Sequence, residues 1–178
     1  MVAELSLVSH SVEATEALAE ALGRLAEPDT VIALDGDLGT GKTAFTRGLA
    51  RGLDVTEQVT SPTYTLMHSY PGRLELYHFD AWMEGREAAF LDGGGAEWLQ
   101  AGGVAVVEWA SRVQAWLPEE RLEVELMHRG TPTVDEEGNV APDAGRTVVL
   151  RALGAGPERL LALLELPAGI STDPLESS

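Results

Sequence analysis

Lys42 is the only lysine among 178 residues, and eleven arginines carry the remaining basic charge. It closes the phrase Gly36-Asp37-Leu38-Gly39-Thr40-Gly41-Lys42-Thr43, a G-x-x-x-x-G-K-T pattern whose residue types suit the cradling of a polyphosphate. Glycines let successive backbone N–H groups curl toward an anion, and a helix starting at the lysine adds the positive end of its dipole. In such a loop the Lys42 ammonium reaches the β- and γ-phosphates and the Thr43 hydroxyl sits on magnesium. A planar guanidinium fits the same space poorly, which explains why an arginine-biased chain keeps one lysine here. A ligand-free glycine turn is the competing reading, and the strand-like run before the loop and the helix-like run after it weigh against it.

Two further acids stand where they could join that chemistry. Val104-Ala105-Val106-Val107 is a fully apolar run ending in Glu108-Trp109, the pattern of a buried strand that delivers a carboxylate at its carboxyl end. Asp80 leaves a predicted hairpin, Thr65 to Tyr70 and Leu74 to Phe79, joined by Pro71-Gly72-Arg73. Ahead of that hairpin, Thr60, Ser61 and Thr63 offer hydroxyls beside Pro62, a segment suited to contacting a γ-phosphate in one state and releasing it in another. The four histidines, His10, His68, His78 and His128, show no metal-ligand spacing and are read as solvated or structural. Trp82, Trp98 and Trp116 are read as packing residues, and only Trp109 has a positional claim on function.

The elements that must position these groups are legible in outline. Leu5 to Ser9 reads as a first strand, and Ser11 as the N-cap of a helix carrying Leu18, Leu22 and Leu25 at one face. Val31 to Leu34 is a strand covered on both sides. Phe45, Leu49 and Leu53 mark the inner stripe of the helix after the loop, with Arg47 and Arg51 outward and Gly52 in its C-cap region. A short helix falls around Ala96 to Ala101. Arg121 to Arg129 and Arg146 to Leu153 are two more strands, separated by the acidic, Pro- and Gly-rich stretch Thr131 to Gly145, read as a mobile hairpin loop. Pro157 to Leu166 closes the fold as a helix with Leu160, Leu163 and Leu164 inward. The fold class is therefore α/β, a P-loop NTPase-like central mixed β-sheet flanked by helices, with a single domain over residues 1–169 and a disordered tail over 170–178.

Twelve basic against 29 acidic side chains give a net charge of −17. Such a surface repels polyanions, so direct contact with nucleic acid or an anionic membrane is disfavoured. Without cysteine the chain has no disulfide or thiolate chemistry, and the absence of a signal-like start or a long apolar run fits a cytoplasmic protein.

Taken together, the glycine loop, Thr60-Ser61-Pro62-Thr63-Tyr64-Thr65-Leu66, Tyr77-His78-Phe79-Asp80 and Val107-Glu108-Trp109 resemble the bacterial TsaE family, in that order and at similar spacing. The resemblance implies an ATPase that binds ATP/ADP and magnesium. It also implies support of the threonylcarbamoylation of adenosine 37 in tRNA with TsaD- and TsaB-like partners, tRNA being met only through that complex. It implies that Asp37, Leu38, Gly39, Thr40, Gly41, Lys42 and Thr43 hold phosphates, that Thr43 and Glu108 hold the metal, and that Lys42, Asp80 and Glu108 are catalytic. Ser61 and Thr63 match a switch segment, Trp109 an aromatic beside the nucleotide, Arg146 a basic group near it, and Ser11 to Thr15 a helix start near the base. The chain departs from the family in reading Asp80-Ala81-Trp82-Met83, where many members continue Leu-Tyr-Arg after the aspartate. Two other readings compete: a P-loop small-molecule kinase, opposed by the acidity of its only candidate lid, and a nucleotide-gated binding module. A GTPase is disfavoured, since base reading by Asn-Lys-x-Asp needs a second lysine.

Overall fold

The run Val31 to Leu34 lies at the centre of the sheet because both of its faces are covered. Ile32 and Leu34 pack into one core, and Val31 and Ala33 into the other. The computed structural model describes residues 3–62, 65–82, 85, 94–130 and 145–173. Its strands are β1 (Ala3–Ser9), β2 (Thr30–Gly36), β3 (Met67–Tyr70), β4 (Leu76–Asp80), β5 (Val104–Glu108), β6 (Arg121–His128), β7 (Arg146–Leu153) and β8 (Ile170–Thr172). They form one eight-stranded sheet in the order β3-β4-β5-β2-β6-β7-β1-β8. The central strands β4, β5, β2 and β6 run parallel, and antiparallel pairings complete both wings.

The helices described are α1 (Val12–Leu25), α2 (Lys42–Gly52), the single turn α3 (Gly95–Trp98) and α4 (Ala155–Leu163), with a 3-10 helix over Ala110–Trp116. Leu18, Leu22, Phe45, Leu49 and Leu53 are fully buried, as their helical spacing requires, and cover one face of the sheet with Leu160 and Leu161. Leu99, Ala110, Val113 and Leu117 cover β4, β5 and β2 on the other face. Strand β6 alternates instead, with Leu122, Val124 and Leu126 buried between half-buried Arg121, Glu123 and Glu125, because that face of this wing meets solvent.

Three expectations are corrected. Leu163 is exposed and Leu161 takes its place inside, because α4 packs through Pro157, Leu160 and Leu161. Gly52 is the last residue of α2 and not its cap, and its lack of a side chain serves helix packing. A Cβ at Gly52 would overlap the Glu20 carbonyl of α1, and one at Gly48 the Glu16 carbonyl. The two helices therefore touch backbone to backbone, and Arg51 bridges their outer edge by pairing with Glu16 and Glu20. Residues 170–172, taken as part of a disordered tail, form β8 on the edge of β1, and Arg129 pairs with Asp173 at 2.6 Å just beyond it. Thr63, Met83 and the stretch 131–144, to which a switch role, a departure from the family and a mobile loop were assigned, lie outside the described residues.

Candidate active site

Parallel pairing places Leu34 of β2 beside Glu108 of β5, and Glu108 beside Asp80 of β4, so three strands bring their carboxyl ends to one edge. From that edge β2 runs into the glycine loop. Gly36, Gly39 and Gly41 adopt φ of 145°, 78° and 107°, a region that favours glycine, and the loop turns directly into α2. Gly41 caps α2 with no side-chain hydrogen bond, which leaves the first-turn N–H groups uncontested by any side chain.

The loop is tied by its own groups. The Thr40 hydroxyl donates to the Asp37 carbonyl at 2.8 Å, and Lys42 Nζ donates to the carbonyls of Gly36 and Asp37 at 2.6 and 2.9 Å. Arg146 Nε, from the start of β7, donates to the Thr40 carbonyl at 3.2 Å. Lys42 is 6% exposed, and its ammonium lies 3.8 Å from the centroid of the Trp109 ring. Burial pushes its pKa below the usual lysine value, against the opposing pull of Glu108, Asp35, Asp80 and Asp37.

Both acids are almost wholly buried. Glu108 Oε1 accepts from His78 Nε2 at 2.9 Å and from the Thr46 hydroxyl at 3.3 Å. Asp80 Oδ2 accepts from the Ser61 hydroxyl at 3.0 Å, and Oδ1 from the Trp82 backbone N–H at 2.8 Å. The first of these bonds links the segment ahead of the hairpin to the strand end. The second turns the chain so that the Trp82 ring folds over the edge, its centroid 4.3 Å from that of Trp109. Arg112 lies over the same pair and donates to the Trp82 carbonyl.

These groups enclose a pocket of about 520 Å³, bordered by Gly39, Gly41, Lys42, Thr43, Ser61, Asp80, Trp82, Glu108 and Trp109, with Leu38 at its rim. Asp37 is exposed and contributes its carbonyl. Ser11, Thr15 and Arg146 line an adjoining cleft of about 50 Å³ against Gly39, Thr40 and Gly41. The hydroxyls there already have local work. Ser11 caps α1 through the Ala14 N–H, and Thr15 bonds the Ser9 hydroxyl and the Ser11 carbonyl.

His78 departs from the solvated reading. It is fully buried against Glu108, while Trp82 is a partly buried packing residue as read, 40% exposed and stacked on Trp109. Strand alternation held the signal for His78, since a residue two before Asp80 shares its face. Thr46, one helical turn after Lys42, carried a comparable signal.

A magnesium ion fits the residues present, because Thr43 and Glu108 border one pocket and an ion of this kind usually takes few protein ligands beside phosphate and water.

A glycine loop entering a helix, beside two parallel strands that present acids at the same edge, makes this a P-loop NTPase-like α/β fold. The family model described as "Threonylcarbamoyl adenosine biosynthesis protein TsaE" matches residues 9–135, and the chain belongs to the TsaE family. A relative from Treponema pallidum (strain Nichols) is 43% identical over 119 residues, covering 67% of this chain and 88% of its own length. One from Bacillus subtilis (strain 168) is 42% identical over 119 residues, covering 66% and 74%. Both bear the name tRNA threonylcarbamoyladenosine biosynthesis protein TsaE. The crystal structure of Bacillus subtilis YdiB superposes with a TM-score of 0.74 at 35% identity, over 92% of this chain and 95% of that one. Among the described residues no helix is long and apolar enough to cross a membrane.

Proposed function

We propose that this chain hydrolyses ATP in support of tRNA adenosine 37 threonylcarbamoylation, working with TsaD- and TsaB-like partners. The observation that carries the reading is the register of Asp80 beside Glu108 at the mouth of the lysine-bearing loop. Bound magnesium would neutralise phosphate charge, with Thr43 and Glu108 as its protein ligands. Lys42 exchanges the carbonyls of Gly36 and Asp37 for phosphate oxygens, and the first-turn N–H groups of α2 take the remaining anionic charge. Asp80, anchored through Ser61 and the Trp82 N–H, orients the attacking water and accepts its proton as the γ-phosphoryl group leaves ADP. Arg146 and the cleft beside α1 suit the nucleoside end. The tRNA is met through the partners, since a chain of charge −17 repels a polyanion. The names of the relatives and the family model support the pathway, and the pocket supports the nucleotide.

The test is phosphate release from ATP by the full chain, alone and with TsaD- and TsaB-like proteins, beside Lys42→Ala. Partner-stimulated release that disappears in the variant is the expected result. Equal release by the two proteins would refute the assignment.

A further inference from the structure

His78 is a costly residue for its place. It lies in the middle of β4, paired with His68 on one side and Val106 on the other, and it is wholly buried on the face that α2 covers. Among the described residues its Nδ1 has no hydrogen-bond partner, and its Nε2 is 2.9 Å from Glu108 Oε1. An apolar side chain would fill this space without leaving a polar atom unpaired in the interior. The one return on the imidazole is therefore its bond to Glu108.

We propose that His78 is a positioning residue that, together with Thr46, pins Glu108 Oε1 from inside the fold and leaves Oε2 to the nucleotide pocket. A carboxylate only accepts hydrogen bonds, so His78 Nε2 is the donor in this pair. Both groups reach the same oxygen from rigid elements, His78 from β4 at 2.9 Å and Thr46 from α2 at 3.3 Å, but the single Thr46 hydrogen is shared with the Lys42 carbonyl at 3.1 Å, so His78 is the main anchor. Glu108 has three soft side-chain dihedrals, and these two bonds hold the carboxylate in one orientation, so that ordering it costs nothing when the reaction begins. The role rests on the reading that Glu108 serves ATP hydrolysis.

The experiment compares wild type, His78→Leu and His78→Gln for ATP affinity and for steady-state phosphate release with partners present, and reads the wild-type ring nitrogens by NMR. Leucine fills the volume without a donor, whereas the glutamine amide can reach the position of Nε2. In the leucine variant kcat should fall about tenfold or more with nucleotide affinity kept within about twofold. Glutamine should recover most of the loss, and Nε2 of the His78 ring should carry a hydrogen. The proposal is overturned by a leucine variant with wild-type kcat, by a glutamine variant no better than leucine, or by a ring Nε2 that carries no hydrogen. Should leucine prevent folding, the glutamine variant and the ring tautomer still decide. Should wild type release no phosphate even with partners, hydrolysis is refuted as the function, while the NMR arm still decides whether His78 donates to Glu108.

Discussion

The Lys42 ammonium rests on the face of Trp109, 3.8 Å from the ring centroid, while donating to the carbonyls of Gly36 and Asp37. A phosphate in the loop draws the ammonium away from all three. Indole emission is sensitive to a charge at the ring face, so adding ATP should change tryptophan fluorescence with a saturable dose dependence. Most of the change should be lost in Trp109→Phe while calorimetry still detects binding, with Trp82 the other indole at the pocket. An undiminished signal in that variant would show that Trp109 does not report the movement of Lys42.

Burial of Lys42 also bears on stability. Its folded-state pKa is lowered, so between that value and the unfolded value near 10.5 the unfolded chain holds more protons, and stability rises with pH across that window. At neutral pH the charged form is the strained one. Lys42→Met should therefore melt no lower than wild type without nucleotide, and wild type should gain on it as pH climbs toward 10.5. The variant should also lose the rise in Tm that ATP gives wild type. A clear drop in its Tm at pH 7 would contradict the electrostatic account.

Asp80→Asn keeps the shape of the side chain and an acceptor for the Trp82 N–H, so the strand end should stay in place. ATP affinity within about twofold of wild type and kcat lower by about a hundredfold are expected, the range of a lost general base. Were Asp80 merely a turn former, stirring in partners would restore turnover.

Gly48→Ala tests the helix contact that sets the loop beside α1. The added methyl meets the Glu16 carbonyl, a backbone atom that cannot swing aside, and should cost about 1–3 kcal/mol in denaturant unfolding. Nucleotide affinity should fall as well, because the cleft lined by Ser11, Thr15 and Gly41 opens with the helices. Unchanged stability would mean that α1 and α2 do not touch backbone to backbone in solution.

Much of this architecture is written in local pattern. The apolar runs before Asp35 and Glu108 are uninterrupted because both faces of β2 and β5 are covered, and that made the two central strands and the site edge readable. The glycine loop was readable because its φ values restrict which residues can stand there. What escaped depends on which side chains meet across the sheet. His78 and Glu108 are 30 positions apart, and only the parallel register of β4 and β5 brings them together. The role of Gly52 was misread because a close helix crossing leaves the same single-residue trace as a cap. Strand β8 was missed since three residues, two of them exposed, carry too little periodicity, and pairing with β1 decides their conformation.

The central claim is that ATP hydrolysis at the Lys42, Asp80 and Glu108 site sustains repeated threonylcarbamoylation. It is tested most directly by reconstituting tRNA modification with TsaD- and TsaB-like proteins, a threonylcarbamoyl donor and ATP, and counting both modified adenosine 37 and released phosphate per complex. With the wild-type chain, modification should continue over many turnovers alongside phosphate release. With Asp80→Asn it should stop near one equivalent per complex, and multiple turnovers with that variant, in the absence of phosphate release, would contradict the account.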